Sequence, residues 1–168
     1  PDLNEKKVFD ATYVATWSEG WKRQSLFGEA VKGLKACAVG SMQPDGGGYQ
    51  KCVENGVYAI VGLVPTRLIT KLYQMSKVGV VVSWHGSERS CLEILASGLP
   101  LVLTKDNELA VSLVKDYAVI VEPTPEAIRQ GIELVLEQGV NKDARKFIVE
   151  NFSAEKYAEV ILKVLEDR

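Results

Sequence analysis

The stretch VGVVVSWHGSERSCLEILASGLPLVLT, residues 78–104, decides how this chain folds. Its opening run, Val78 to Val82, is wholly apolar, as expected of a strand buried on both faces of a parallel sheet. Ser83-Trp84-His85-Gly86-Ser87 breaks the run; Glu88 through Ala96 then reads as a helix, and a second apolar run follows at 101–104. Strand, turn, helix, strand is a βαβ unit. Working outward, short β-rich runs recur at 12–17, 36–40, 57–61, 78–83, 101–104 and 118–121, with amphipathic stretches between them. The pattern predicts one α/β domain, an open parallel sheet with helices on both faces and no internal boundary.

The best-marked helix covers 125–138. Thr124 stands at its N-cap, Pro125 at its first position and Gly139 just past its end, with Ile128, Ile132, Val135 and Leu136 on one face. A last helix is expected over 153–168 behind a Ser153 cap, and its face of Tyr157, Val160, Ile161, Val164 and Leu165 calls for burial. Residues 43–48 hold Pro44, Asp45 and three consecutive glycines. They match neither a P-loop nor a dinucleotide fingerprint and read as a mobile loop.

A chain of 168 residues, 46% apolar and 25% charged, has material for one core. A net charge of -2 with evenly mixed signs lacks the basic field that phosphate backbones require, so nucleic acid is not an expected partner. Cys37, Cys52 and Cys91 are odd in number, set in apolar context and without metal-ligand spacing. They imply buried, reduced thiols, a cytosolic compartment and no metal site. No apolar run approaches the ~20 residues of a spanning helix, and no signal peptide precedes the first strand, so a soluble domain without a transmembrane segment is expected. The start at Pro1 fits a piece excised from a longer chain.

In an open α/β sheet, ligands bind beyond the carboxyl ends of the strands. The turn after Val82 is such a place. Gly86 allows close backbone approach, Ser87 can cap, and the first N–H groups of the helix with its positive dipole end favour a phosphate. Ordinary capping explains the same residues. Glu93 is more pointed: it lies among Cys91, Leu92, Ile94 and Leu95, where a carboxylate needs a partner. Vicinal ribose hydroxyls would supply one, and so would Arg89 one turn earlier. His85, the sole histidine, reads as a surface residue that can still bond a sugar hydroxyl or phosphate oxygen. Trp17 and Trp84 each end a predicted strand on the ligand side, so each either lines the cleft or packs beneath a loop.

Residues 83–104 resemble the donor-site signature of the retaining GT-B glycosyltransferases, which include sucrose synthases and bacterial lipopolysaccharide and capsule mannosyltransferases. That signature has a Ser after an apolar strand, a Glu-Gly-Phe-Gly loop, a second Glu separated from the first by seven residues, then Ala-x-Ala-x-Gly-x-Pro-Val-Val. Glu93, Ala96, Gly98, Pro100 and Val102 fall in register. Tyr13-Val14-Ala15-Thr16, Ala38-Val39-Gly40 and residues 61–65 with Leu72-Tyr73 resemble the family's first three strands and following helix, so the likeness covers nearly the whole chain.

The resemblance implies a Rossmann-like fold, the C-terminal half of a GT-B enzyme, with the acceptor-binding N-terminal domain absent. Its partner would be a nucleotide-diphosphate sugar, with no further cofactor, used in polysaccharide, lipopolysaccharide or glycolipid synthesis. Glu93 would bind the ribose, Gly86, Ser87, Glu88 and Ser90 would form the diphosphate loop, and Val64 and Pro65 would flank the base. Two positions depart from the pattern: the family's first Glu, a donor-sugar contact, falls on His85, and its first-loop Arg falls on Thr16. Lys22 or Arg23, near the family's Lys, would then neutralise the leaving diphosphate. The isolated domain is expected to bind donor but to turn it over poorly or not at all, and any membrane association would come from the missing half. The alternatives are a non-catalytic donor-binding or regulatory relative, a nucleotide-sugar epimerase of the same architecture and a plain interaction module.

Overall fold

The computed structural model describes residues 6–17, 19–41, 47–139 and 142–166. It contains one six-stranded sheet, built from β1 (Phe9–Val14), β2 (Ala36–Gly40), β3 (Tyr58–Val61), β4 (Ser76–Val81), β5 (Leu101–Thr104) and β6 (Ala118–Val121). The order is β3-β2-β1-β4-β5-β6, and every pairing is parallel. The direction in which successive strands are added therefore reverses between β1 and β4, where the crossover loops part and leave a crevice at the carboxyl edge. This is the α/β sheet expected from the sequence.

The helices are α1 (Glu19–Lys22), α2 (Gln24–Ala30), α3 (Gly47–Glu54), α4 (Thr66–Gln74), α5 (Glu88–Ala96), α6 (Glu108–Val114), α7 (Pro125–Gln138), α8 (Lys142–Phe152) and α9 (Ala154–Glu166). On one face α2 packs against α3 and α7, and on the other α5 packs against α6 and α8. The central strands are thus covered twice, and Val78, Val80, Val81 and Val82 are all fully buried. Ile94 and Leu95 of α5 and Ile128 and Ile132 of α7 fill the space on either side. Burying each such side chain stabilises the fold by about 1.5–3 kcal/mol.

Strands β2, β5 and β6 and helix α7 have the expected bounds, with the Thr124 hydroxyl accepting from the Ala127 N–H. β1 begins and ends three residues before the expected 12–17, and β4 begins and ends two residues before 78–83. Asp10 stands within β1, where its carboxylate takes the Lys77 ammonium at 2.7 Å and the Lys35 N–H at 3.1 Å. Of the expected glycine loop, residues 43–46 lie outside the described residues, whereas Gly47 and Gly48 open α3. The last helix forms, yet none of its residues is buried. Its end, residues 167–168, lies outside the described residues.

Candidate functional site

The carboxyl ends of β1, β2 and β3 and the flank of α5 enclose an open cleft of about 270 Å³. Thr16, Val64, Ser90 and Glu93 line it, together with Gly40. Gly40 is required by close approach, since a Cβ there would lie 1.7 Å from the Ala15 carbonyl oxygen. The Ser90 hydroxyl donates to the Val14 carbonyl at 3.3 Å and ties the first turn of α5 to the end of β1. Glu93, one turn deeper, keeps its side chain 31% exposed and accepts from Arg89 Nε at 2.7 Å. That partner is 82% exposed, and solvent-exposed i,i+4 pairs of this kind are weak. Arg89 therefore satisfies Glu93 without committing it against a ligand hydroxyl.

Beside the cleft, Lys22 and the turn before α5 meet. The Lys22 ammonium donates to Ser87 Oγ at 2.7 Å, and the Tyr13 hydroxyl holds the Lys22 carbonyl at 2.8 Å. Burial lowers the Lys22 pKa from its ordinary value, partly offset by Glu88 in the first turn of α5. Gly86, at φ 62°, brings the turn to Lys22; a Cβ there would sit 3.2 Å from the ammonium nitrogen. Ser87 holds the N-cap position with φ 84°, but its side chain makes no cap bond because the hydroxyl faces Lys22. The capping expected of Ser87 is thus absent. The first N–H groups of a helix have no intrahelical partner, so a cation and a helix N-terminus converge where an anion would be held.

Arg23 is used elsewhere. Its guanidinium makes two bonds to Asp106, at 2.8 and 3.0 Å, and its Nε donates to the Val82 carbonyl at 2.7 Å. A further nitrogen reaches the Thr104 hydroxyl at 3.3 Å. The residue itself sits at φ 49°, between α1 and α2. It clamps the ends of β4 and β5, leaving Lys22 as the cation at the turn. Pro65 does not line the cleft; it precedes α4, and its carbonyl accepts from Leu68 and Ile69.

Two structural residues were not foreseen. Asn107 is buried, and its Nδ2 donates to both the Ser83 and Gly86 carbonyls at 3.0 Å while Oδ1 caps α6 through the Ala110 N–H. An Asn ahead of an amphipathic run signals a cap; nothing local signals the brace on a loop some twenty residues back. Trp21 is the second, stacking on His85, which stacks in turn on Trp84. Of the two tryptophans weighed from sequence, Trp17 is 1% exposed and donates from Nε1 to the Ile60 carbonyl at 3.1 Å, which makes it a core residue. Burial pushes the Cys37 and Cys91 thiols up to about 12, so both stay protonated. Among the described residues, no three His, Cys, Asp or Glu side chains cluster to hold a metal ion, and no helix is long and apolar enough to cross a membrane.

Sheet order, crossover positions and cleft together define a Rossmann-like α/β domain of the kind that forms one half of a GT-B glycosyltransferase. No family model and no curated protein matches the chain. Solved structures do. HepE of Anabaena, in complex with UDP and glucose, aligns at TM-score 0.77 and 16% identity, over 99% of this chain and 50% of its own. Sucrose-phosphate synthase of Thermosynechococcus elongatus gives 0.76 at 17% identity, over 99% and 46%. The catalytic domain of the Helicobacter pylori cholesterol-α-glucosyltransferase gives 0.61 at 17%, over 85% and 95%. The chain spans about half the length of the first two. These neighbours are GT-B glycosyltransferases, and at such identities the likeness speaks for the fold.

Proposed function

We propose that this chain is the donor-binding half of a glycosyltransferase and holds a nucleotide-diphosphate sugar across the carboxyl edge of its sheet. The observation that carries the reading is the junction of the cleft with the Lys22–Ser87 contact at the N-terminus of α5. The cleft accepts the nucleoside, with Glu93 taking ribose hydroxyls from the weak grip of Arg89. The diphosphate lies against Lys22, Gly86 and the amides of the first turn of α5. No cofactor beyond the donor enters this reading. Transfer itself requires an acceptor-side domain, so the chain alone binds donor without turning it over; retention at the anomeric carbon rests on the resemblance alone.

Calorimetric titration of UDP, GDP and ADP into the chain tests this. One nucleotide should bind, and Lys22→Ala and Glu93→Ala should each weaken it about tenfold or more, the worth of a charge-assisted hydrogen bond. Saturable binding untouched by either substitution would remove the reading.

A non-catalytic donor binder is the second reading, favoured by the commitment of Arg23 to Asp106 and of His85 to an aromatic stack. With Thr16 at the family's Arg position, Lys22 is then the cation left for a leaving diphosphate. Losing one such preorganised donor raises a barrier by about 2.7–4 kcal/mol. Thr16→Arg with His85→Glu in the full-length protein separates the two: a degenerate binder gains transfer, whereas a variant enzyme does not. None of the three neighbours described above is an epimerase.

A further inference from the structure

Tyr73 is 1% exposed, yet among the described residues its hydroxyl has no hydrogen-bond partner. A buried phenol O–H ordinarily finds an acceptor. Tyr73 stands in the last turn of α4 and lines a chamber of about 220 Å³ between α4 and α5. Thr66, Ile69 and Glu93 line both this chamber and the cleft, so the two meet at Glu93. Thr70, Tyr73 and Ala96 line the chamber but not the cleft. Along α4, residues 66, 69, 70 and 73 share one face, which turns the phenol toward the helix that carries Glu93.

The orphaned hydroxyl lacks an acceptor, and Glu93 is one. Thr70 is already committed within its own helix, donating to the Thr66 carbonyl at 3.1 Å. An ionised carboxylate only accepts, and its two oxygens together offer about four lone-pair sites. Arg89 takes Glu93 at Oε1 and is itself largely in solvent. The Glu93 charge already acts on the phenol: it adds to burial in pushing the Tyr73 pKa up, which keeps the proton on the hydroxyl as a donor.

We infer that Tyr73 is a positioning residue for Glu93. When vicinal ribose hydroxyls displace Arg89, the carboxylate turns onto the phenol, whose O–H donates to it from the chamber side while the ligand hydroxyls donate from the cleft side. That bond is charge-assisted and shielded from water, so it fixes the carboxylate rotamer more firmly than an exposed guanidinium does. Selection of ribose over deoxyribose then depends on a residue of α4 that does not line the cleft. The inference rests on the nucleotide-sugar reading above, and its test keeps the two apart.

The nucleoside diphosphate that binds best among UDP, GDP and ADP and its 2′-deoxy form are titrated into the unaltered chain, into Tyr73→Phe and Glu93→Ala, and into the chain carrying both substitutions. Tyr73→Phe should weaken the ribonucleotide about 2- to 12-fold, the range of a single hydrogen bond. It should weaken the 2′-deoxy form less, add no loss in the Glu93→Ala background, and leave the melting midpoint unchanged or raised. Ribonucleotide affinity untouched by Tyr73→Phe, an equal loss for both nucleotides, or the same loss in the Glu93→Ala background overturns the positioning role and leaves the nucleotide site standing. A loss that comes with a lowered melting midpoint overturns it too, by making Tyr73 a packing residue between α4 and α5. Failure of every nucleotide to bind removes the nucleotide-sugar reading and the role of Tyr73 with it.

Discussion

Lys22 and Arg23 are adjacent cations, and local sequence gives no ground for choosing between them. The choice is made by Asp106, 83 residues from Arg23, whose carboxylate takes the guanidinium and holds it away from the turn before α5. The two residues should therefore fail in opposite ways. Arg23→Ala should destabilise the domain by about 1.5–3 kcal/mol in denaturant titrations, while Lys22→Ala should leave stability nearly intact and lose nucleotide affinity. Lys22 also gives that affinity a pH limb. Because burial lowers its pKa, the ammonium is lost, as pH rises, before an ordinary lysine would titrate. Affinity should fall through that midpoint, and Lys22→Ala should abolish the dependence. Tyr73 makes a different residue-level prediction. Among the described residues its buried hydroxyl has no hydrogen-bond partner, and burial together with Glu93 pushes its pKa up, so it stays protonated. Tyr73→Phe removes an unpaid desolvation cost and should leave the melting midpoint unchanged or raised.

At the scale of elements, sequence legibility followed burial. β2, β5 and β6 were readable to the residue because apolar runs coincide with their pairing. β1 was misplaced because Asp10 looks like a strand boundary, and its partners Lys35 and Lys77 reach it only through the sheet. The candidate site divides in the same way. Thr16, Val64, Ser90 and Glu93 were accessible because each hangs from a strand end or from the helix after it, and topology brings such ends together. The ring row and the Asn107 brace were not, since both join loops distant in sequence. Asn107 serves α6 as a cap and the turn before α5 as a strut. Asn107→Ala should therefore cost about 1–2 kcal/mol in thermal melts and weaken nucleotide binding as well, whereas loss of a cap alone would affect only stability.

For the whole molecule, the plainest anomaly is α9, whose Tyr157, Val160, Ile161, Val164 and Leu165 all lie in solvent. The burial that its spacing calls for does not occur within the described residues. Since α9 contributes no buried residue to the core, deleting 154–168 should leave the unfolding midpoint within about 1 °C and reduce self-association in sedimentation runs, because a contiguous exposed apolar face promotes sticking. A marked drop in the midpoint would mean that α9 supports the core.

The position of β1 between β2 and β4 also governs when the site comes into being during folding. Lys22 and Ser87 are 65 residues apart in the chain, and the parallel pairing of β1 with β4 that brings them together must close that loop before any contact rewards it. A partly folded species with only β1, β2 and β3 assembled would have the cleft wall that those strand ends form and would lack the Lys22–Ser87 contact. Ligand-binding competence should thus appear in a refolding experiment only with the slowest phase, making the nucleotide a kinetic reporter of completed sheet closure.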